Sequence, residues 1–163
     1  MKQYFETPDG KLVNLKEVSN IVFDEFFTDR FGNEKPKVIF NFSYGVHLQK
    51  SDKIISDYVY SIYTNKSEFE KATMYLSKLI NEKNWIAPII SGRIEKIINP
   101  DKVSFVTYDA DNLRIIVNLS NSVSFNKNYH RMTSDYVYIN CGDFDEYLKN
   151  KDYIENHLKL LKF

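Results

Sequence analysis

The sequence predicts an α+β fold written twice, an antiparallel β-rich sheet followed by a C-terminal helix, as a tandem duplication about a pseudo-two-fold axis. Three observations lead there. The pentapeptide Ser-Asp-Tyr-Val-Tyr occurs at residues 56–60 and again at 134–138. Matches then continue on both sides in collinear order. At the same offset of 78, Phe69 falls on Tyr147, Tyr75 on Tyr153, Leu76 on Ile154 and Ile80 on Leu158. At 77, Asn41-Phe42-Ser43 falls on Asn118-Leu119-Ser120 and Val46 on Val123; at 85, Asn14 falls on Asn99, Val18-Ser19 on Val103-Ser104 and Phe23 on Tyr108. Offsets that change only between segments are what loop insertions leave in a repeat. Finally, each half reads as strands and then one helix, which specifies α+β rather than βαβ. The units are residues 1–84 and 85–163, packed together as one globular body.

The first unit opens with "KQYFET", the turn "TPDG" and "KLVNL", where Pro8 fixes φ and Gly10 accepts positive φ. "VSNIVFDEF", "KVIFNFSYGVHL" and "SDYVYSIY" follow, rich in the β-branched and aromatic residues of strands. A helix is expected from about Ser67, with Ser67 and Glu70 as a capping box and an apolar stripe of Phe69, Ala72, Leu76, Leu79 and Ile80. Asn84 and Pro88 end it within the link 81–88.

The second unit reads "WIAPII", the turn "SG", "RIEKII", "KVSFVTY", "LRIIVNLSNSVSF", "SDYVYIN" and a helix from about Asp143. Asp143 and Glu146 repeat the cap-plus-three spacing, and Phe144, Tyr147, Leu148, Ile154, Leu158 and Leu161 share a face. Lys151 interrupts that face, so either the helix breaks near Asn150 or the lysine snorkels outward.

Composition bounds the function. The chain has 163 residues, 43% of them hydrophobic, which suits a folded domain with its own core. Twenty-two basic residues balance 22 acidic ones, and each half is itself neutral, which argues against phosphate-driven nucleic-acid binding. The single cysteine excludes an internal disulfide. With no apolar leader and no membrane-length apolar run, the expectation is cytoplasmic residence.

No chemistry-bearing constellation emerges. His47, His130 and His157 lack metal-ligand spacing, so no metal is expected, and no cofactor loop of the Gly-x-Gly-x-x-Gly or Gly-Lys-Ser/Thr kind is present. Asp57 and Asp135, one in each pentapeptide, are read as turn residues rather than a carboxylate dyad. Cys141 lies before a helix N-terminus, where a thiolate could be favoured, yet it continues the alternation of Val137 and Ile139 and is read as buried.

Where the halves differ, a binding role is expected. From Val18 to Val38 the first unit spans 20 positions; from Val103 to Ile115 the second spans 12. The extra eight fall in "DEFFTDRFGNEKP", residues 24–36, which sets Phe26, Phe27 and Phe31 among charges and beside Arg30. Aromatic side chains next to arginine have hot-spot composition; in the competing reading the strands run longer and return these rings to the core. Tyr129, His130 and Arg131 form a second irregular stretch. The functional expectation is a non-enzymatic module that binds a protein partner through this aromatic hairpin and a Tyr-rich sheet surface, such as a phage or mobile-element inhibitor of a host protein. The alternative is single-strand nucleic-acid binding, with Tyr58, Tyr60, Tyr136 and Tyr138 as stacking platforms.

Overall fold

The computed structural model describes the backbone of residues 3–48, 54–126 and 131–160, and the side chains of 3–42, 58–119 and 136–159. Its elements are β1 (Tyr4–Glu6), β2 (Leu12–Asn14), β3 (Val18–Asp24), β4 (Lys37–Leu48), β5 (Ile54–Ile62), α1 (Lys66–Glu82), β6 (Lys96–Ile98), a 3₁₀ turn (Pro100–Lys102), β7 (Val103–Asp109), β8 (Arg114–Asn126), β9 (Arg131–Asn140) and α2 (Phe144–Leu160). The α+β expectation is met. β1 and β2 pair as a separate hairpin, and the larger sheet runs β6-β3-β4-β5-β8-β7, with β9 on the other edge of β8. Its strand pairs are antiparallel.

The meanders β3-β4-β5 and β7-β8-β9 share local detail. β3 against β4 shifts register between Val18 and Asn20, and β7 against β8 between Val103 and Phe105. A second shift falls between Asn41 and Val46 of β4, and between Asn118 and Val123 of β8. At the first bulge Ser19 Oγ donates to Asn41 O at 3.0 Å, and Ser104 Oγ donates to Asn118 O at 3.0 Å. The cross-strand pair Asp24–Lys37 (3.6 Å) stands where Asp109–Arg114 (2.9 Å) stands in the other meander. The Asn14 side chain accepts from Lys16 N, and the Asn99 side chain from Asp101 N. Bulges re-aim strands at fixed places, and the two meanders break register at corresponding positions.

Alternation decides which face is buried. Val38 and Phe40 of β4 and Ile115, Val117 and Leu119 of β8 point inward under the helices, as do Val137 and Ile139 of β9. Tyr58, Tyr60 and Ile62 point the other way from Val59 and Ser61, as the alternation predicts, and Tyr136 and Tyr138 the other way from Val137. Among the described residues two hydrophobic cores result, one under each helix. The segment 85–98 is wedged between them: Trp85, Ala87 and Ile97 enter the first core, while Ile86 and Ile98 enter the second. β6 also pairs with β3, so Asn20 faces Ile98 and Val22 faces Lys96. A boundary at residue 84 therefore marks the end of α1 but not a break in packing.

The "WIAPII" stretch, expected as a strand, is not one. Ile86 exchanges two 2.8 Å backbone bonds with Ile98 and Ile90 two of 2.9 Å with Arg93, but three other amides turn to α2. Ala87 N donates to Tyr153 Oη (3.1 Å), Ile89 N to Asn150 Oδ1 (3.0 Å) and Ser91 N to Glu146 Oε1 (2.5 Å). Donors two residues apart on extended chain meet acceptors three and four apart on a helix, so the two periods mesh. Pro88 occupies an intervening position where no amide is needed. Asn150, 4% exposed, also donates to Ile89 O at 2.9 Å.

α2 begins as expected. Glu146 N donates to Asp143 Oδ1 (2.8 Å) and Glu146 Oε2 accepts from Gly142 N (2.7 Å). It runs unbroken through Asn150, and Lys151 snorkels until its ammonium lies 5.3 Å from the centre of the Tyr108 ring. Phe144 and Leu148, expected in the apolar stripe, are exposed, because the buried line runs through Tyr147, Asn150 and Ile154; Leu161 lies outside the described residues. The α1 stripe is as expected, but its cap is two residues early. Asn65 Oδ1 accepts from Glu68 N at 2.9 Å, so Asn65 and Glu68 take the role assigned to Ser67 and Glu70. Both pairs have cap-plus-three spacing, and the earlier one gains Thr64 Oγ1, which donates to Glu68 Oε2 at 2.7 Å. Asn65→Ala is expected to cost about 1 kcal/mol, whereas Ser67→Ala changes stability little; a urea titration of both variants checks this.

Candidate functional site

The β3–β4 connection, residues 25–36, is a small hairpin closed on itself. Asp29 N donates to Asn33 O (2.9 Å) and Gly32 N to Asp29 O (3.0 Å), with Gly32 at φ 81°. The Asp29 carboxylate accepts from Phe31 N (2.8 Å) and Asn33 N (3.0 Å), bonds that hold its pKa below the ordinary aspartate value, the Asn33 amide contributing most. Lys35 N donates to Phe27 O (2.8 Å), and Thr28 bridges Glu34. The sequence dictates this locally: Asp starts the turn, and Gly takes the left-handed position after it. β7 and β8 are joined by residues 110–113 alone, which accounts for the eight extra positions here.

On this frame Phe31 is 73% exposed at the tip, with the Arg30 guanidinium 4.8 Å from its ring centre. Phe26 is 62% exposed and lies under Arg93, 5.3 Å away. Phe27 differs: it is half-buried, with the Lys37 ammonium 3.8 Å from its ring centre, and it fastens the hairpin to β4. None of the three rings belongs to the core.

Beside the hairpin lies a cleft of about 910 Å³ between α1 and the 92–95 turn. Glu25 enters it, 2.6 Å from Lys66 Nζ and 4.0 Å from Arg93; the hydrogen bond from Lys66 holds its pKa below the ordinary glutamate value. Phe26, Met74 and Ile94 are its exposed apolar residues. A second cleft, about 680 Å³, shares Gly92 and Ile94 and reaches the start of α2, with Ile89 exposed at 54%. Met74, Ile89 and Ile94 were not singled out in the sequence, because a lone exposed apolar residue carries no pattern.

The remaining candidates scatter. Tyr129 and His130 lie outside the described residues, and Arg131 is placed by its backbone alone, opposite Asn126 at the start of β9. Tyr60 and Tyr136 are 50% and 42% exposed on the outward sheet face. Each contacts its neighbour along the strand, with Tyr58 and Tyr60 centroids 6.4 Å apart and Tyr136 and Tyr138 centroids 4.7 Å apart. Arg114 covers Tyr138 at 4.7 Å. Asp57 and Asp135 lie on β5 and β9, which flank opposite edges of β8. His157 Nε2 donates to Asn84 O, tying α2 to the end of α1. The Cys141 thiol is half-buried, and burial pushes its pKa up, opposite to what a nucleophile needs. Among the described residues no group of three or more His, Cys, Asp or Glu could hold a metal ion, and no helix is long and apolar enough to cross a membrane.

No protein-family model matches this chain, and no curated protein or solved structure matches it.

Proposed function

We propose that this chain is a protein-binding module, two copies of a three-strand and helix unit, in which the insertion at residues 25–36 of the first copy carries the partner surface. The observation that carries the reading is Phe31, 73% exposed at the tip of a turn whose backbone is tied down by Asp29. An exposed aromatic ring on a backbone already tied down has less conformational entropy to lose when a partner covers it, which is the property of interface anchors. Phe26 and the arginines beside both rings extend the same surface. Matching bulges, the Ser19 and Ser104 hydroxyl bonds and the Asp24–Lys37 and Asp109–Arg114 pairs support the duplication. An inhibitor that acts by occupying a host protein's surface needs no more than such a module.

The second reading keeps single-stranded nucleic acid as the partner, favoured by the outward exposure of Tyr60 and Tyr136 at equivalent strand positions. Capture from host lysate separates the two. Phe26→Ser/Phe31→Ser is expected to keep the wild-type melting temperature and to lose the captured protein, because each anchor is worth about 2 kcal/mol or more in binding. Capture that survives both substitutions but disappears on nuclease treatment would favour the tyrosine reading instead.

A further inference from the structure

The two clefts form one trough. Lys66, Phe69, Glu70, Thr73, Met74 and Ser77 line the first, and Ile80 continues the same α1 face into the second. From residue 66 to residue 80 the wall is about 21 Å long at 1.5 Å per residue, roughly four helical turns. The opposite wall is the 92–95 turn, whose Gly92 and Ile94 belong to both clefts. Phe26, Met74, Ile94 and Ile89 set exposed apolar side chains along its course, between 36% and 68% exposed.

Its charge is one-sided. In the first cleft Asp24, Glu25, Glu70 and Glu95 face Lys66 and Arg93. In the second, Asp143, Asp145 and Glu146 face Lys149. Seven carboxylates stand against three lining cations, and Lys37, paired with Asp24 from outside the lining, brings the net to −3 on a chain whose formal charge is zero. An apolar floor with an acidic rim is complementary to apolar anchors flanked by lysine or arginine.

We infer that this trough takes a basic amphipathic helix of a partner, about four turns long, laid along α1 with its apolar side chains on Phe26, Met74, Ile94 and Ile89. The inference rests on the protein-binding reading of this face and adds the chemistry of what is bound. Helix-in-groove docking supplies affinity through apolar anchors spaced three and four residues apart. The acidic rim selects against acidic segments by like-charge repulsion.

The test uses a fluorescein-labelled model helix of about 14 residues built from leucine and lysine, and a second in which glutamate replaces every lysine. Fluorescence anisotropy is expected to show binding of the lysine peptide that weakens as salt rises, with the glutamate peptide at least tenfold weaker. Amide shifts should concentrate at residues 66–80 and 89–95. Glu70→Lys/Asp145→Lys, both exposed rim positions, should weaken the lysine peptide about tenfold or more while the protein keeps its fold by circular dichroism. Equal binding of both peptides, an unaffected double variant, or shifts clustered elsewhere would each overturn the inference. Phe31 lines neither cleft, so Phe31→Ser leaves peptide binding unchanged. Loss of native-partner capture in that variant belongs to the hairpin reading alone, which keeps the two failures distinguishable.

Discussion

Replacing Ile154 by alanine is expected to destabilise the whole chain by about 2–5 kcal/mol, and to shift Trp85 fluorescence and far-UV circular dichroism together. Ile154 is fully buried on α2 in the second core, whereas Trp85, the single tryptophan, is 3% exposed in the first. If the halves were separate domains, a cavity beneath α2 would leave the first core and its tryptophan signal intact. Three features argue otherwise. Segment 85–98 sends alternate side chains into both cores; β6 pairs with β3; and β5 pairs with β8 through Ile54–Phe125 and Ile55–Ser124. Unfolding the second half strips Ile97 and Ala87 from the first core and one edge from β3. The two probes should therefore report one transition, lowered by roughly 2–4 °C per kcal/mol for a chain of this size. A circular dichroism transition that moves down while the Trp85 transition stays in place would show that residues 1–84 stand alone.

Much of this fold could be read from residues because the signals were local. Strand faces follow from alternation, so Tyr58 and Tyr60 against Val59 needed only a period of two. The α1 stripe and the Asp143–Glu146 cap needed only helical spacing. The Ser67 cap failed for an instructive reason: Asn65-Lys66-Ser67-Glu68 carries a competing cap with identical spacing, and a hydroxyl from Thr64 decides between them. Phe144 and Leu148 failed because a buried polar residue, Asn150, occupies the line that an apolar stripe was expected to fill. "WIAPII" failed because strand composition does not specify a strand partner. Two of its amides, Ala87 and Ile89, are satisfied by side chains of α2 more than 60 residues away in sequence, a solution that no local pattern announces.

The candidate site divides in the same way. The turn at residues 29–33 was legible, since Asp-Arg-Phe-Gly spells its own geometry, and the comparison of the two halves located the insertion. Whether its three phenylalanines faced water was not legible, because Phe26 and Phe31 are exposed while Phe27, adjacent to one of them, packs beneath Lys37. A hairpin tip points side chains by its twist, and a window of alternating charges and rings fits either direction. The trough was invisible for another reason. Met74 on α1, Ile94 on the 92–95 turn and Asp145 on α2 come from three elements, and only the docking of segment 87–91 onto α2 brings them together.

That docking makes Asn150 the position with the second large expected effect. Its amide accepts from Ile89 N at 3.0 Å and donates to Ile89 O at 2.9 Å and to Glu146 O at 3.1 Å. Asn150→Leu keeps the volume but leaves the Ile89 amide and carbonyl without their partner, at about 1–3 kcal/mol for each polar group left unsatisfied. A loss of about 2–4 kcal/mol is expected, together with weaker binding in the trough, whose 92–95 wall is held by the same segment. Asn150→Asp should distinguish hydrogen bonding from packing. At neutral pH the carboxylate still accepts from Ile89 N but faces the carbonyl oxygens of Ile89 and Glu146, so its charged form is disfavoured and its folded pKa lies above the unfolded value. The folded state then binds the extra proton first, and the deficit against wild type shrinks as pH falls through that folded pKa. Urea titrations of the two variants from pH 7 down to about pH 4 should show Asn150→Asp recovering toward wild type while Asn150→Leu stays offset by a constant amount. Parallel curves would mean that Asn150 acts by filling space, and that the donor to Ile89 O contributes nothing to holding the trough open.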